Sequence, residues 1–241
     1  MFRMKDRTRY KAEIISVQDV TPHMRRLTVV GEGLNAWGKI KPAQWLKVGI
    51  PRPSNLRAVS RAYTIRHFHP AAGRVEIDFV LHGDNGPASQ WISRVRRGEV
   101  IELSAPRGGH DIQPDIENYV LVGDATALPA ISSILEALPP SIRAKAFLEV
   151  SSTAEEQPLS SLAELDVTWI HSENELPGTT GQLELAIHRA ALSAKNSHAW
   201  VAGEAFMVRS VSTHLTVDRG FQSTHVDAKG YWKLGEAAHR G

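Results

Sequence analysis

Hydrophobic positions along the first half of the chain follow a period of two. In Val75-Glu76-Ile77-Asp78-Phe79-Val80-Leu81-His82 the apolar residues at 75, 77, 79 and 81 alternate with mostly polar ones, which predicts a strand with one buried face. Runs of the same kind occupy Lys11 to Val17, Met24 to Val30, Trp45 to Ile50, Ala62 to His67 and Glu99 to Ser104, with Gly, Pro and Asn between them. Six strands with almost no helical pattern predict an antiparallel β-barrel over residues 1–115.

Past Pro114 the rhythm changes to short apolar runs separated by helical stretches. Tyr119 to Gly123 reads as a fully buried strand, and the apolar-rich Leu128 to Leu138 as the helix that follows it. Strands are expected again at Ala146 to Val150, Val167 to His171, Ala199 to Ala202 and Thr224 to Val226, with helices at Gln182 to Leu192 and Ala205 to Leu215. The acidic, Ser-rich stretch Ser151 to Glu164 reads as a long surface connection. Strand and helix in alternation predict a Rossmann-like parallel sheet wrapped by helices over residues 116–241. The fold class expected is therefore a two-domain β + α/β protein.

Composition narrows the chemistry. With 42% hydrophobic residues there is material for a core in each half. The formal net charge of +2 is too small for a nucleic-acid-binding face. No cysteine is present, which excludes disulfides, thiolate zinc sites, iron–sulfur clusters and thiol nucleophiles, so redox chemistry would need a bound cofactor. Met1 to Arg7 is basic without an apolar run behind it, and no stretch approaches the roughly 18 apolar residues of a membrane helix. A soluble cytoplasmic protein with no membrane partner is expected, with a monomer as the simplest state. His67-Phe68-His69 could present two imidazoles on one side of a strand, but no carboxylate or third histidine stands at metal spacing, so no metal site is expected. There is no G-x-S-x-G elbow to support a hydrolase triad.

Some segments carry more specific chemistry. In Arg61-Ala62-Tyr63-Thr64-Ile65-Arg66, strand alternation puts Arg61, Tyr63 and Ile65 on one face and Ala62, Thr64 and Arg66 on the other. A guanidinium fork suits phosphate oxygens and an aromatic plane suits a flat conjugated ring; an ordinary amphipathic strand would look the same. The run resembles the R-x-Y-T motif of the ferredoxin reductase-like flavoproteins. That resemblance implies that Arg61 meets the FAD pyrophosphate, Tyr63 packs on the flavin ring and Thr64 approaches its reactive nitrogen.

In His82-Gly83-Asp84-Asn85-Gly86-Pro87-Ala88-Ser89-Gln90-Trp91 a strand end leads into a short helix starting near Ala88, where free amides would attract a pyrophosphate. A turn and helix cap with Trp91 in the core is the plainer alternative. Gly123-Asp124-Ala125-Thr126-Ala127-Leu128-Pro129-Ala130-Ile131 stands at the carboxyl end of a parallel strand, the edge at which open α/β sheets bind ligands. Ala202-Gly203-Glu204 follows a buried strand, and Gly230-Tyr231-Trp232-Lys233-Leu234-Gly235 lies near the C-terminus.

In order and spacing these segments resemble the siderophore-interacting protein family: H-x-x-x-G-P-A-S-x-W, G-D-E-T-A-L-P-A-I with Ala125 in place of the glutamate, A-G-E, and a terminal Y-W-basic-x-G. The resemblance implies FAD contacts from Arg61, Tyr63, Thr64, His82, Gly86, Pro87, Ala88 and Ser89. On the nicotinamide side it implies contacts from Asp124, Thr126, Ala127, Gly203, Glu204 and Trp232. Lys47 matches a family lysine and Lys233 the terminal basic residue, both implied to hold an anionic ferric siderophore, with Arg107 as a third candidate.

The implied activity is transfer of hydride from NADH or NADPH to FAD and then single-electron reduction of Fe(III)-siderophore, with no catalytic protein side chain. Reduction would release iron because hard oxygen donors hold Fe(II) less tightly. After the second expected strand, Val150 is followed by Ser151, Ser152 and Thr153 without an acid for ribose hydroxyls, which leans toward NADPH. The alternatives are another flavin reductase of the same two-domain type, or a siderophore-binding protein without catalysis.

Overall fold

The computed structural model describes residues 8–51, 59–81, 86–173 and 175–236. The chain divides into two compact units, Met1–Asp111 and Ile112–Gly241.

In the first unit, strands β1 (Arg9–Thr21), β2 (Met24–Val30), β3 (Gln44–Ile50), β4 (Val59–His69), β5 (Arg74–Val80) and β6 (Val100–Ser104) pair antiparallel in the order β4-β5-β2-β1-β6-β3. Pairing of β3 with β4 closes the sheet into a six-stranded barrel, and the two-residue strand β7 (Arg107–Gly108) adds to β3. The alternation expected in β5 is what builds the core: Val75, Ile77 and Phe79 point inward to meet Leu27, Val29, Leu46, Val48 and Leu103. On the outer side of the same strand, Asp78 is buried under Arg26, which donates to both its oxygens at 2.6 and 2.8 Å.

Closure needs irregular strands. β1 carries register shifts at Ile14/Ser16 and Asp19/Thr21, and β4 carries one at Ile65/His67. The shift in β4 reverses the facing of everything after Arg66: Ile65 is opposite Ile77, yet Phe68, not His67, is opposite Val75. Helix α1 (Pro87–Ile92) begins with proline at the first helical position, where no N–H is needed, and buries Trp91 and Ile92.

The second unit alternates β8 (Asn118–Asp124), α2 (Leu128–Ala137), β9 (Arg143–Val150), β10 (Glu164–His171), α3 (Gln182–Arg189), β11 (Ser197–Glu204), α4 (Ala205–Thr213) and β12 (Val226–Trp232). All five strands are parallel, in the order β10-β9-β8-β11-β12. From β8 the chain moves outward through β9 and β10, then returns to the other side of β8 with β11. The carboxyl ends of β8 and β11 therefore flank the topological switch point, the position at which such sheets open a crevice for ligands. Burial of β11 on both faces accounts for its apolar Ala199-Trp200-Val201-Ala202 run.

Three expectations need correction. The last strand, expected at Thr224 to Val226, runs from Val226 to Trp232; Thr224 and His225 belong to a 3-10 turn at Ser223–His225. Its Asp-Ala-Lys-Gly centre interrupts the apolar run that marks the other strands of the sheet. The last helix does not continue regularly to Leu215 but widens into a π-turn at His214–Asp218. In the connection after β9, a 3-10 turn at Thr153–Glu155 buries Glu155, so that stretch is not wholly at the surface.

Candidate functional site

Residues directly opposite one another in an antiparallel pair share a face, and this rule locates the barrel candidates. Trp45 of β3 is opposite Thr64 of β4 and opposite Arg107 of β7, and Lys47 is opposite Ala62. Lys47 follows Trp45 by two residues, so Lys47, Thr64 and Arg107 lie on one face of three adjoining strands. The other face takes Arg61 and Tyr63, opposite Val48 and Leu46. Thr64 is buried, while Lys47, Arg61, Tyr63 and Arg107 are half-buried.

Phe79 joins two sequence segments. The ring of Tyr63 rests on it with centroids 4.1 Å apart, and Trp91 meets it edge-on at 5.9 Å. Tyr63 and α1 thereby share one support, although 28 positions separate Tyr63 from Trp91 in the chain. At the start of α1, Gly86 is extended and Pro87 opens the helix. Pro87, Ala88 and Ser89 are half-buried there. His82 lies outside the described residues.

At the switch point of the second unit, the motif carboxylates bind other parts of the same unit. Asp124 is 1% exposed. Its Oδ1 accepts from the Thr126 amide at 2.8 Å and the Thr126 hydroxyl at 2.5 Å; its Oδ2 accepts from the Glu204 amide and the Trp232 indole N–H, both at 2.8 Å. Glu204 caps α4, its Oε2 accepting from the amides of Phe206 at 2.5 Å and Met207 at 3.1 Å, while Oε1 accepts from the Leu234 amide at 3.2 Å. A carboxylate already fills this helix start, so it would repel a phosphate.

Two glycines make room for the network. Gly203, at φ 136°, and Gly178, at φ 88°, each lie where a Cβ would come within 2.5 and 2.6 Å of Asp124 Oδ2. Any larger residue would push into the buried carboxylate. Ala127 is buried and starts α2, Thr126 is half-buried, and Lys233 is exposed beside half-buried Trp232.

A third carboxylate here escaped the sequence reading. Glu149 of β9 is in register with Asp124 and fully buried; it accepts from the Gly178 amide at 2.8 Å and the Thr180 hydroxyl at 2.5 Å. Its signal was a charged residue within the apolar strand Phe147-Leu148-Glu149-Val150. Burial raises both the Asp124 and the Glu149 carboxyl above the usual range, opposed by their hydrogen-bond donors; the negative charge of Asp124 raises Glu149 further.

His67 and His69 do meet a carboxylate that spacing did not reveal. Glu76 Oε2 is 2.9 Å from His67 Nδ1, and Glu76 Oε1 is 3.5 Å from His69 Nε2. Arg26 is 3.6 Å from the same carboxylate and Arg66 donates to His67 Nε2 at 2.8 Å, so two cations already occupy this surface. The cluster is an ion-pair network.

A closed antiparallel barrel followed by a parallel sheet with this switch point is the ferredoxin reductase-like fold. The chain superposes on a ferredoxin NADP+ reductase from Neisseria gonorrhoeae, solved with bound FAD and NADP, with a TM-score of 0.69 at 18% identity, over 93% of this chain and 99% of that one. Within that class the chain belongs to the siderophore-interacting protein family. Residues 51–110 match the siderophore-interacting FAD-binding domain and residues 116–235 the siderophore-interacting protein model. The siderophore-interacting protein SipS from Aeromonas hydrophila superposes with a TM-score of 0.83 at 31% identity, covering 95% of this chain and 92% of SipS.

Among curated relatives, the mycobactin import ATP-binding/permease protein IrtA of Mycobacterium tuberculosis is 30% identical over 98% of this chain. The chain spans only 27% of that protein's length. Ferric vibriobactin reductase ViuB of Vibrio cholerae is 26% identical over 90% of this chain and 86% of its own. No helix among the described residues is long and apolar enough to cross a membrane.

Proposed function

We propose that the protein is an FAD-dependent, NAD(P)H-consuming ferric-siderophore reductase. The observation that carries this reading is the shared face of Thr64, Lys47 and Arg107: cationic side chains stand beside the strand position expected to approach the flavin, where an anionic iron chelate would have to come. FAD, when bound, supplies the conversion of a two-electron hydride donor into single-electron delivery. One NAD(P)H thus reduces two ferric chelates and leaves NAD(P)+ and a proton.

The residues present suit such a cofactor. Arg61 provides a fork for phosphate oxygens and Tyr63 presents an aromatic plane already steadied by Phe79. In the second unit the nucleotide belongs at the switch point between β8 and β11, close to Thr126 and Gly203. Glu149 in β9 and Glu155 in the turn after it are both buried, so neither carboxylate is offered to ribose hydroxyls, which favours NADPH. Lys47 and Arg107 in the first unit, and Lys233 in the second, are the cations each unit offers to a negatively charged chelate. ViuB, named a ferric vibriobactin reductase, is a relative over most of this chain and supports the same chemistry.

The test is spectroscopic. The purified protein should show the absorbance bands of bound flavin, NADPH should bleach them anaerobically, and a ferric siderophore should restore them as a ferrous trap colours. Lys47→Ala with Lys233→Ala should slow the second phase while flavin content stays unchanged. A colourless protein that takes up no added FAD would instead point to a binding protein without catalysis.

A further inference from the structure

Lys233 lies between two residues tied by hydrogen bonds to the two motif carboxylates at the switch point. On one side the Trp232 indole donates to Asp124 Oδ2 at 2.8 Å; on the other the Leu234 amide donates to Glu204 Oε1 at 3.2 Å. The two carboxylates are themselves joined, since the Glu204 amide donates to the same Asp124 oxygen at 2.8 Å. Asp124 is 108 residues from Trp232 and Glu204 is 30 from Leu234, so these are long-range ties that local chain preference does not provide.

A C-terminal segment held at both sides of one exposed lysine has little freedom to move it. We infer that Asp124 and Glu204 are positioning residues for Lys233, fixing the chain on both sides of it so that its side chain is presented to an anionic ferric chelate, in place of contacting the nucleotide through their side chains. This rests on the reading that Lys233 receives the chelate. Asp124 supports it by having both oxygens engaged by donors of its own unit, and Glu204 by having one oxygen on α4 and the other on Leu234.

Two substitutions cut the two ties separately. Trp232→Phe keeps the ring and removes the indole N–H. Glu204→Gln keeps a carbonyl oxygen for the α4 amides and turns an NH2 group toward the Leu234 N–H. Binding of redox-inert gallium(III) chelates to the flavin-loaded protein is measured by calorimetry. Each variant should raise Kd for a trianionic tris-catecholate about three- to tenfold, the scale of one ordinary hydrogen bond, and leave Kd for a neutral tris-hydroxamate unchanged.

The rate of flavin reduction by NADPH should also be unchanged, and Trp232→Phe should add nothing in a Lys233→Ala background. Unchanged Kd for the tris-catecholate, an equal rise when Lys233 is absent, or a slowed flavin reduction each overturns the inference while leaving the proposed activity standing. Wild-type protein that binds no flavin, or neither chelate, overturns both. Should Trp232→Phe fail to fold, Glu204→Gln decides the matter by the same criteria.

Discussion

Lys233 carries its own counter-ion, for its ammonium group lies on the carboxylate of Glu236 three residues further along the chain. The pair is about half-exposed on each side, at 50% and 46%, so it is readily exchanged. Exposed ion pairs contribute roughly 0 to 1 kcal/mol. On the proposed function, an anionic chelate that binds at Lys233 would displace Glu236. Glu236→Gln should therefore lower KM for a trianionic ferric chelate about two- to fourfold and leave a neutral one unchanged, with the difference fading at high salt. Steady-state assays across ionic strengths check this.

Asp124 anchors the second unit's ligand edge. Asp124→Ala leaves the amides of Thr126 and Glu204 and the indole of Trp232 without their acceptor in a buried place. Each such orphaned donor costs about 1 to 3 kcal/mol. A loss of at least about 3 kcal/mol is expected, read as a lower chemical-denaturation midpoint with little change in slope.

Glu149 gives a pH signature. Burial first, then the neighbouring charges of Asp124 and Glu184, raise its carboxyl in the folded state, against the hydrogen bonds of Thr180 and Gly178. A group raised by folding stabilises while protonated, and that stabilisation is lost as pH rises through its folded value. Glu149→Gln can accept from the Gly178 amide and donate to Thr180. It should gain melting temperature over wild type near neutral pH, with the gain shrinking as pH falls through the raised folded value and levelling off by the ordinary carboxylate range.

Glu76 should behave in the opposite way. Burial acts to raise its carboxyl, but the hydrogen bond from His67 and the charges of His67, Arg26 and His69 outweigh burial and lower it. A lowered carboxylate stabilises above its unfolded value, and that contribution disappears as pH falls through the folded value. Glu76→Gln should flatten the acid limb of a thermal-stability profile and cost stability near neutrality.

Several features were legible in the chain itself because their causes are local. Alternation in Val75 to Phe79 reports one buried face, and the apolar Tyr119 to Val122 run reports burial on two, so both halves of the fold could be read. The segments Arg61 to Thr64, Gly86 to Ser89, Gly123 to Ala127, Ala202 to Glu204 and Tyr231 to Gly235 were visible as chemistry and as family likeness. Strand β12 was not, because Asp227, Lys229 and Gly230 break the apolar signal.

What residue types and short-range periodicity determined, then, was the barrel, the parallel sheet and the segments where ligands were to be sought. Which of those residues meet was decided by tertiary structure alone. Strand register set Lys47, Thr64 and Arg107 on one face; the bulge at Arg66 turned His67 outward toward Glu76; and burial enclosed Asp124 and Glu204 beneath the chain that carries Lys233. Pairing register and hydrogen bonds across a hundred residues depend on the closing of the whole sheet, a condition that a local stretch of sequence does not encode.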